Sequence, residues 1–364
     1  MPYHPTVMIH AIRHSIYLII CTGLAVWAMA APLHAQSAEI TVATWGGEYG
    51  EAQQAATFKP FTRATGIGIR IHHHGSDYQP LFEATASGVP SWSVVDIEHD
   101  LLDKGCANGT FEKLDAELLI GKAAQTDFIP GTLHPCGIGS LIWSQAVAYD
   151  ALLFKDRLPV TLEDFFDLAR FPGRRGLFAG AEGNLEIALM ASGIPPADVY
   201  DILRKPGGVD QAFAQLDIIR PVAVFWQAGD EPEHLLNDGR VAMTTAYAAR
   251  FIRPRQGVRR PAKLIWSHAL WRATYWAVPR NAPDSANAQR FIAFATDPER
   301  LAGLATRLWY GPARKSGFEA VPVNVREDLP TARKNFHDAL KIDSGFWTEF
   351  GPVIEDRFRA WMGR

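Results

Sequence analysis

Carboxylates and aromatic rings that fall together at turn-bounded strand ends are the residues of this chain best suited to chemistry. Trp45 and Tyr49 flank the turn Trp45-Gly46-Gly47, where Gly46 lets the backbone bend tightly and approach a bound group closely. Trp226, Tyr247 and Trp276 stand beside other turns or strand ends, and Glu48, Asp96, Glu98, Glu182 and Glu186 bring negative charge to similar places. Such a set suits an organic cation, because aromatic faces attract ammonium groups and carboxylates neutralise them. Taken singly, each ring is an ordinary core residue and each acid an ordinary surface or helix N-terminal residue. The combination is what points to a cleft.

Other clusters read more plainly. Arg250, Arg253, Arg255, Arg259, Arg260 and Lys263 form a basic run without an acid, the pattern of an exposed loop, with an anion site or docking patch as the alternative. Strand alternation puts His72 and His74 of His72-His73-His74 on one face, with Asp77 and His99 as further donors for a metal receptor. No spaced second cluster completes such a site, so a solvated strand edge is the reading adopted, and neither a metal nor a cofactor is expected. The chain has no G-x-S-x-G, H-E-x-x-H, C-x-x-C or P-loop, and only the fragment Gly137-Ile138-Gly139 of a dinucleotide fingerprint. An enzyme is therefore not expected; the alternative is a secreted hydrolase or lyase using Glu182 and Glu186 for proton transfer.

Alternating strands and helices position these residues. Ile40 to Thr44 reads as a strand that stops at Trp45. A helix follows from about Glu48, kinked at Pro60 and ended by Gly66, and then a second strand, Ile67 to His72. Tyr78 to Ser87 reads as a helix and Ser93 to Glu98 as a buried strand, which carries Asp96 and Glu98 to its carboxyl end. Further on, Thr161 and Asp164 form a capping box, Asn184 to Ala191 and Val209 to Ile219 are helices, and Ile142 to Tyr149, Leu177 to Ala179, Val241 to Thr245, Lys263 to Trp266 and Tyr275 to Val278 are strands. Asp284 and Asp297 cap two more helices. This order predicts an α/β protein with mostly parallel sheets, whose ligands lie outside the carboxyl ends of the strands.

The 364 residues include 36 Lys+Arg and 39 Asp+Glu, a formal charge of minus 3, with 48% hydrophobic and 21% charged residues. That balance gives no electrostatic reason to expect nucleic acid or an anionic membrane as partner. Residues 1–35 read as a cleavable signal peptide: a short segment with Arg13, an uncharged apolar run from Ser15 to Ala31, and small residues up to Ala35. Export places the mature protein in an oxidising compartment and leaves Cys106 and Cys136 as an even pair, expected to form a disulfide.

The order of segments resembles the extracellular solute-binding proteins of ABC importers, in particular the spermidine/putrescine-binding type. The resemblance is carried by ITVATWGGEYGEAQQAATFKPFTRATGI (40–67), VVDIEHDLLDKGCANGTFEKLD (94–115), CGIGSLIWSQAVAYD (136–150), RFPGRRGLF with LEIALMASG (170–193), LLNDGRVAMTTAYAAR (235–250), YWAVPRNAPDSANAQRFIAFATDPE (275–299) and YGPARKSG (310–317). It implies a two-lobed periplasmic binding protein type II fold, each lobe a mostly parallel sheet flanked by helices, joined by crossover strands. One lobe is expected over 38–140 plus 275–310 and the other over 145–270 plus 311–364, with crossovers near Ile142 to Tyr149 and Tyr275 to Pro279. The resemblance further implies a monomeric periplasmic receptor that captures a small polar, polyamine-like solute and hands it to an inner-membrane ABC permease. By position Trp45, Tyr49, Tyr247, Glu182 and Glu186 fall where the family contacts ligand. One stretch departs: the polyamine type carries Trp-x-Asp before the returning crossover, and this chain has Arg272-Ala273-Thr274, so that Arg272 and Arg250 favour a ligand bearing a carboxylate.

Overall fold

A computed structural model describes residues 38–75, 77–254 and 259–363. The expected signal peptide and Arg255 lie outside the described residues. Eleven strands among them form one sheet: β1 (Glu39–Thr44), β2 (Gly68–His73), β3 (Val94–Glu98), β4 (Leu133–His134), β5 (Gly137–Asp150), β6 (Arg175–Phe178), β7 (Ala223–Trp226), β8 (Met243–Tyr247), β9 (Ala262–Ala277), β10 (Gly311–Pro312) and β11 (Leu340–Lys341). The main path runs β2-β1-β3-β9-β5-β8-β6-β7. Its outer pairs are parallel, β1 with β2 and β3, β6 with β7 and β8. At the centre, β9 runs antiparallel to β3 and β5, and β5 to β8.

The long central strands tie the two halves of the sheet together. β5 pairs through Ile138 and Gly139 with the end of β9, which itself continues onto β3, and through Gln145 to Tyr149 with β8. The two short strands expected at Lys263 to Trp266 and Tyr275 to Val278 are one 16-residue strand, β9. Its continuity was hidden by an irregularity at His268, which takes a left-handed φ of 56° and lets the ladder slip without breaking.

Separate apolar cores flank the halves. Ile40, Val42, Phe61, Trp276 and Phe291 pack on one side; Phe165, Leu185, Leu216, Phe346 and Phe358 pack on the other. The C-terminal helix Ser344–Met362 belongs to the second core. Val321, Val325 and Leu329 pack on the helix Pro298–Leu308 through Ala302 and Ala305.

Local chemistry explains the elements around the site. The helix Gly47–Gln53 continues through a wide turn, Gln54–Phe58, into Lys59–Thr65. Pro60 has no N–H for the preceding turn, so the ladder widens just before it. Cys106 and Cys136 form the expected disulfide across 30 residues, which in the loop-entropy model contributes about 3.5 kcal/mol by restricting the unfolded chain. The capping box at Thr161 is present, and the buried Asp164 carboxylate accepts from the Val160 and Thr161 amides at 2.8 and 3.1 Å. Asp164→Ala is expected to lower unfolding free energy by about 1–2 kcal/mol in a urea titration; an unchanged midpoint would show that water serves these amides equally well.

Candidate functional site

The carboxyl ends of the parallel strands β1 and β3, and of β8, which runs opposite to them across β9 and β5, deliver the side chains of a single cavity. After β1 comes Trp45, then Gly46 and Gly47 at φ of 90° and 56°, so the chain turns at once into the helix that carries Tyr49. A Cβ at Gly46 would lie 2.8 Å from the His73 ring, so glycine is required on both counts. β3 ends at Glu98, which pairs across the ladder with Thr274 of β9. β8 ends at Tyr247, followed by Ala249 and Arg250. Trp143 from β5, Gly229 and Tyr310 complete a cavity of about 310 Å³. A second hollow of about 330 Å³ shares Tyr49, Ala249, Arg250 and Tyr310 with it and adds Gly46, Glu48 and Arg253. There Arg253 donates to Glu48 at 2.7 Å.

The walls are aromatic. Trp45 meets Tyr49 edge-on at 5.4 Å, and Trp143 meets Tyr247 at 5.4 Å. Trp45 is backed by His74 at 5.2 Å, whose ring stacks on Tyr78, while His72 lies on Trp92. These two histidines therefore serve as packing surfaces for aromatic rings. Behind Tyr49 lies Asp96, fully buried, which accepts from the Tyr49 hydroxyl at 2.9 Å and from the Gln53 amide. Burial pushes the Asp96 carboxyl well above its usual range.

Charge gathers around Glu98, the carboxylate that lines the cavity. Arg272, with its side chain 11% exposed, reaches Glu98 at 3.4 Å, Asp100 at 3.9 Å and Glu182 at 2.6 Å. Burial raises the Glu98 carboxyl above its ordinary value, although Arg272 and a hydrogen bond with Trp143 draw it back. Burial also pushes Glu182 up to about 7 against the pull of Arg272. Arg250 lies 3.8 Å from Glu233 and faces the cavity from the opposite strand end.

Several residues expected at the site line one hollow or the other: Trp45, Gly46, Glu48, Tyr49, Glu98, Tyr247 and Arg250. Others do not line either. Trp276 is buried between Phe58 and Phe291, and Trp226 is buried against Phe178, because apolar helices and strands close over both rings. Glu186 is consumed by its own helix start, accepting from the Gly183 amide, the Tyr200 hydroxyl and the Trp347 indole. Asp96 stands behind Tyr49, and Glu182 meets Arg272 instead of the cavity. Trp143, Gly229, Ala249 and Tyr310 were not singled out from sequence, and Thr274 was named there only within the departing stretch Arg272-Ala273-Thr274. Trp143 sits in a crossover strand and Tyr310 opens YGPARKSG, and those positions were the available signals. Of the basic run, Arg250 and Arg253 face the hollows, while Arg260 pairs with the buried Asp150 and Arg259 with Asp238.

A family model described as bacterial extracellular solute-binding protein matches residues 56–331. Over 357 residues the chain is 37% identical to a gamma-aminobutyric acid-binding protein of Pseudomonas aeruginosa, an alignment spanning 98% of this chain and 99% of that one. A solved GABA receptor superposes with a TM-score of 0.77 at 26% identity, covering 89% of this chain and 97% of its own. An ABC transporter substrate-binding protein from Bradyrhizobium japonicum superposes with a TM-score of 0.77 at 28% identity, covering 89% and 99%.

Proposed function

Because the chain belongs to the bacterial extracellular solute-binding protein family and is a substrate-binding component of an ABC transporter, we propose that it is the periplasmic receptor for a small amino acid with its ammonium and carboxylate at opposite ends. The observation that carries this reading is that Glu98 and Arg250 line the same small cavity with aromatic walls between them. Glu98 holds the ammonium, with the rings covering the aliphatic stem; Arg250 holds the carboxylate. A diamine puts its second cation against Arg250, so the polyamine-like solute expected from sequence gives way to a zwitterion. The gamma-aminobutyric acid-binding relative supports the same class.

The two sheet halves act as lobes joined through β5 and β9. Ligand binds the closed arrangement better than the open one, which shifts the population toward the form delivered to the permease. The receptor works as a monomer and releases its solute unchanged.

Calorimetry on the mature protein tests the reading with gamma-aminobutyrate, beta-alanine, butyrate and putrescine. Gamma-aminobutyrate is expected to bind at least about tenfold more tightly than butyrate or putrescine, and at a hundred times its Kd to stabilise the fold by about 2.7 kcal/mol. Tightest binding of putrescine, or conversion of any ligand, would overturn it.

A further inference from the structure

We propose that Arg272 and Glu182 make closure of the cleft depend on the positive charge of the ligand. The inference rests on the receptor reading above and adds a pair of positioning residues outside the cavity wall. Glu98 and Asp100 stand at the end of β3 and the start of the helix His99–Ala107, beside the first half of the sheet. Glu182 stands just before the helix Asn184–Ala191, whose apolar residues pack in the core of the second half. Arg272 forks between them, Nη1 toward Glu98 and Asp100, Nη2 toward Glu182 at 2.6 Å.

The charges in this cluster do not match. One guanidinium faces three carboxylates where the arginine is nearly buried, so above the Glu182 pKa of about 7, where that acid is ionised, bringing it up to Arg272 also brings its charge toward Glu98 and Asp100. Like charges repel more strongly as water is removed. Glu186, the other acid of that helix start, is held elsewhere by Tyr200 and Trp347. A ligand ammonium on Glu98 supplies a second cation and relieves the excess. A solute of the same shape without that charge fills the cavity and leaves the cluster repulsive, so the halves close less readily around it. Glu182 thereby acts on ligand choice through Arg272, without touching the ligand.

Glu182→Gln keeps the shape and an acceptor for Arg272 while removing the charge; Glu182→Asp keeps the charge. In small-angle scattering without ligand at about pH 8, where Glu182 is ionised, the Gln variant is expected to be more compact than wild type, because closure no longer opposes like charges. Its preference for gamma-aminobutyrate over gamma-hydroxybutyrate, which lacks the ammonium, should fall about tenfold, while the Asp variant keeps most of the wild-type preference. A more open Gln variant would make the pair a simple latch and overturn the proposal. Equal loss of both ligands, or no change in either measurement, overturns it as well. A wild-type protein that prefers putrescine refutes the zwitterion reading alone, since the ligand-free scattering result still decides whether the charge of Glu182 opposes closure.

Discussion

A Glu98→Gln protein is expected to bind gamma-aminobutyrate about a hundredfold more weakly than wild type, because truncating one partner of a buried charge pair costs about 2–5 kcal/mol. The fold should survive the change. Gln has the shape of Glu, and Arg272 keeps Glu182 and Asp100. pH supplies a second signature. Burial raises the Glu98 carboxyl above its ordinary value, so protons compete with the ligand ammonium at higher pH than for free glutamate. Wild-type affinity should therefore decline as acidification protonates Glu98, beginning at higher pH than an ordinary glutamate would set, and the Gln variant should lose the part of that decline that belongs to Glu98. Calorimetry over the same acidification checks both points; wild-type affinity in the Gln variant would remove Glu98 from the ammonium site.

Sequence patterning located the ends of strands well because it depends on local chemistry. Trp45, Glu98 and Tyr247 each follow a short apolar run that stops at a turn or helix start, and an α/β fold uses those ends for ligands. What escaped depends on the third dimension. Trp226 and Trp276 also follow or end strands, yet neighbouring apolar elements close over them, which no local signal distinguishes. Glu186 reads as a helix N-terminal acid, and that is its structural position, with Tyr200 and Trp347 arriving from 14 and 161 residues away to satisfy it. What Thr274 faces became visible only through its register with Glu98. The resemblance to polyamine receptors drew attention to that position, and the ladder places a carboxylate directly across from it.

Arg175 shows how little residue type alone says about burial. Within Phe171-Pro172-Gly173-Arg174-Arg175-Gly176 it looks like one more surface cation, but the chain buries it completely. Its Nε donates to the Phe165 carbonyl at 2.7 Å, Nη1 to Gly173 at 2.8 Å and Nη2 to Phe171 at 2.5 Å. The guanidinium thus ties the end of the helix Leu162–Phe166 to the turn that starts β6, the strand through which the second half of the sheet is built. Burial lowers Arg175 to about 10, so it remains cationic at neutral pH. Arg175→Leu fills the space but takes the guanidinium donor from three carbonyls, those of Phe165 and Phe171 in buried contacts and that of Gly173 in a half-buried one. Each orphaned group costs about 1–3 kcal/mol, and some relief by water brings the expected loss to about 3–5 kcal/mol in urea unfolding. Arg175→Lys should recover only a minor part, since an ammonium on a flexible stem cannot reproduce the planar fork. A Leu variant as stable as wild type would mean that the turn closes without this arginine, and full recovery by Lys would mean that positive charge suffices without the fork.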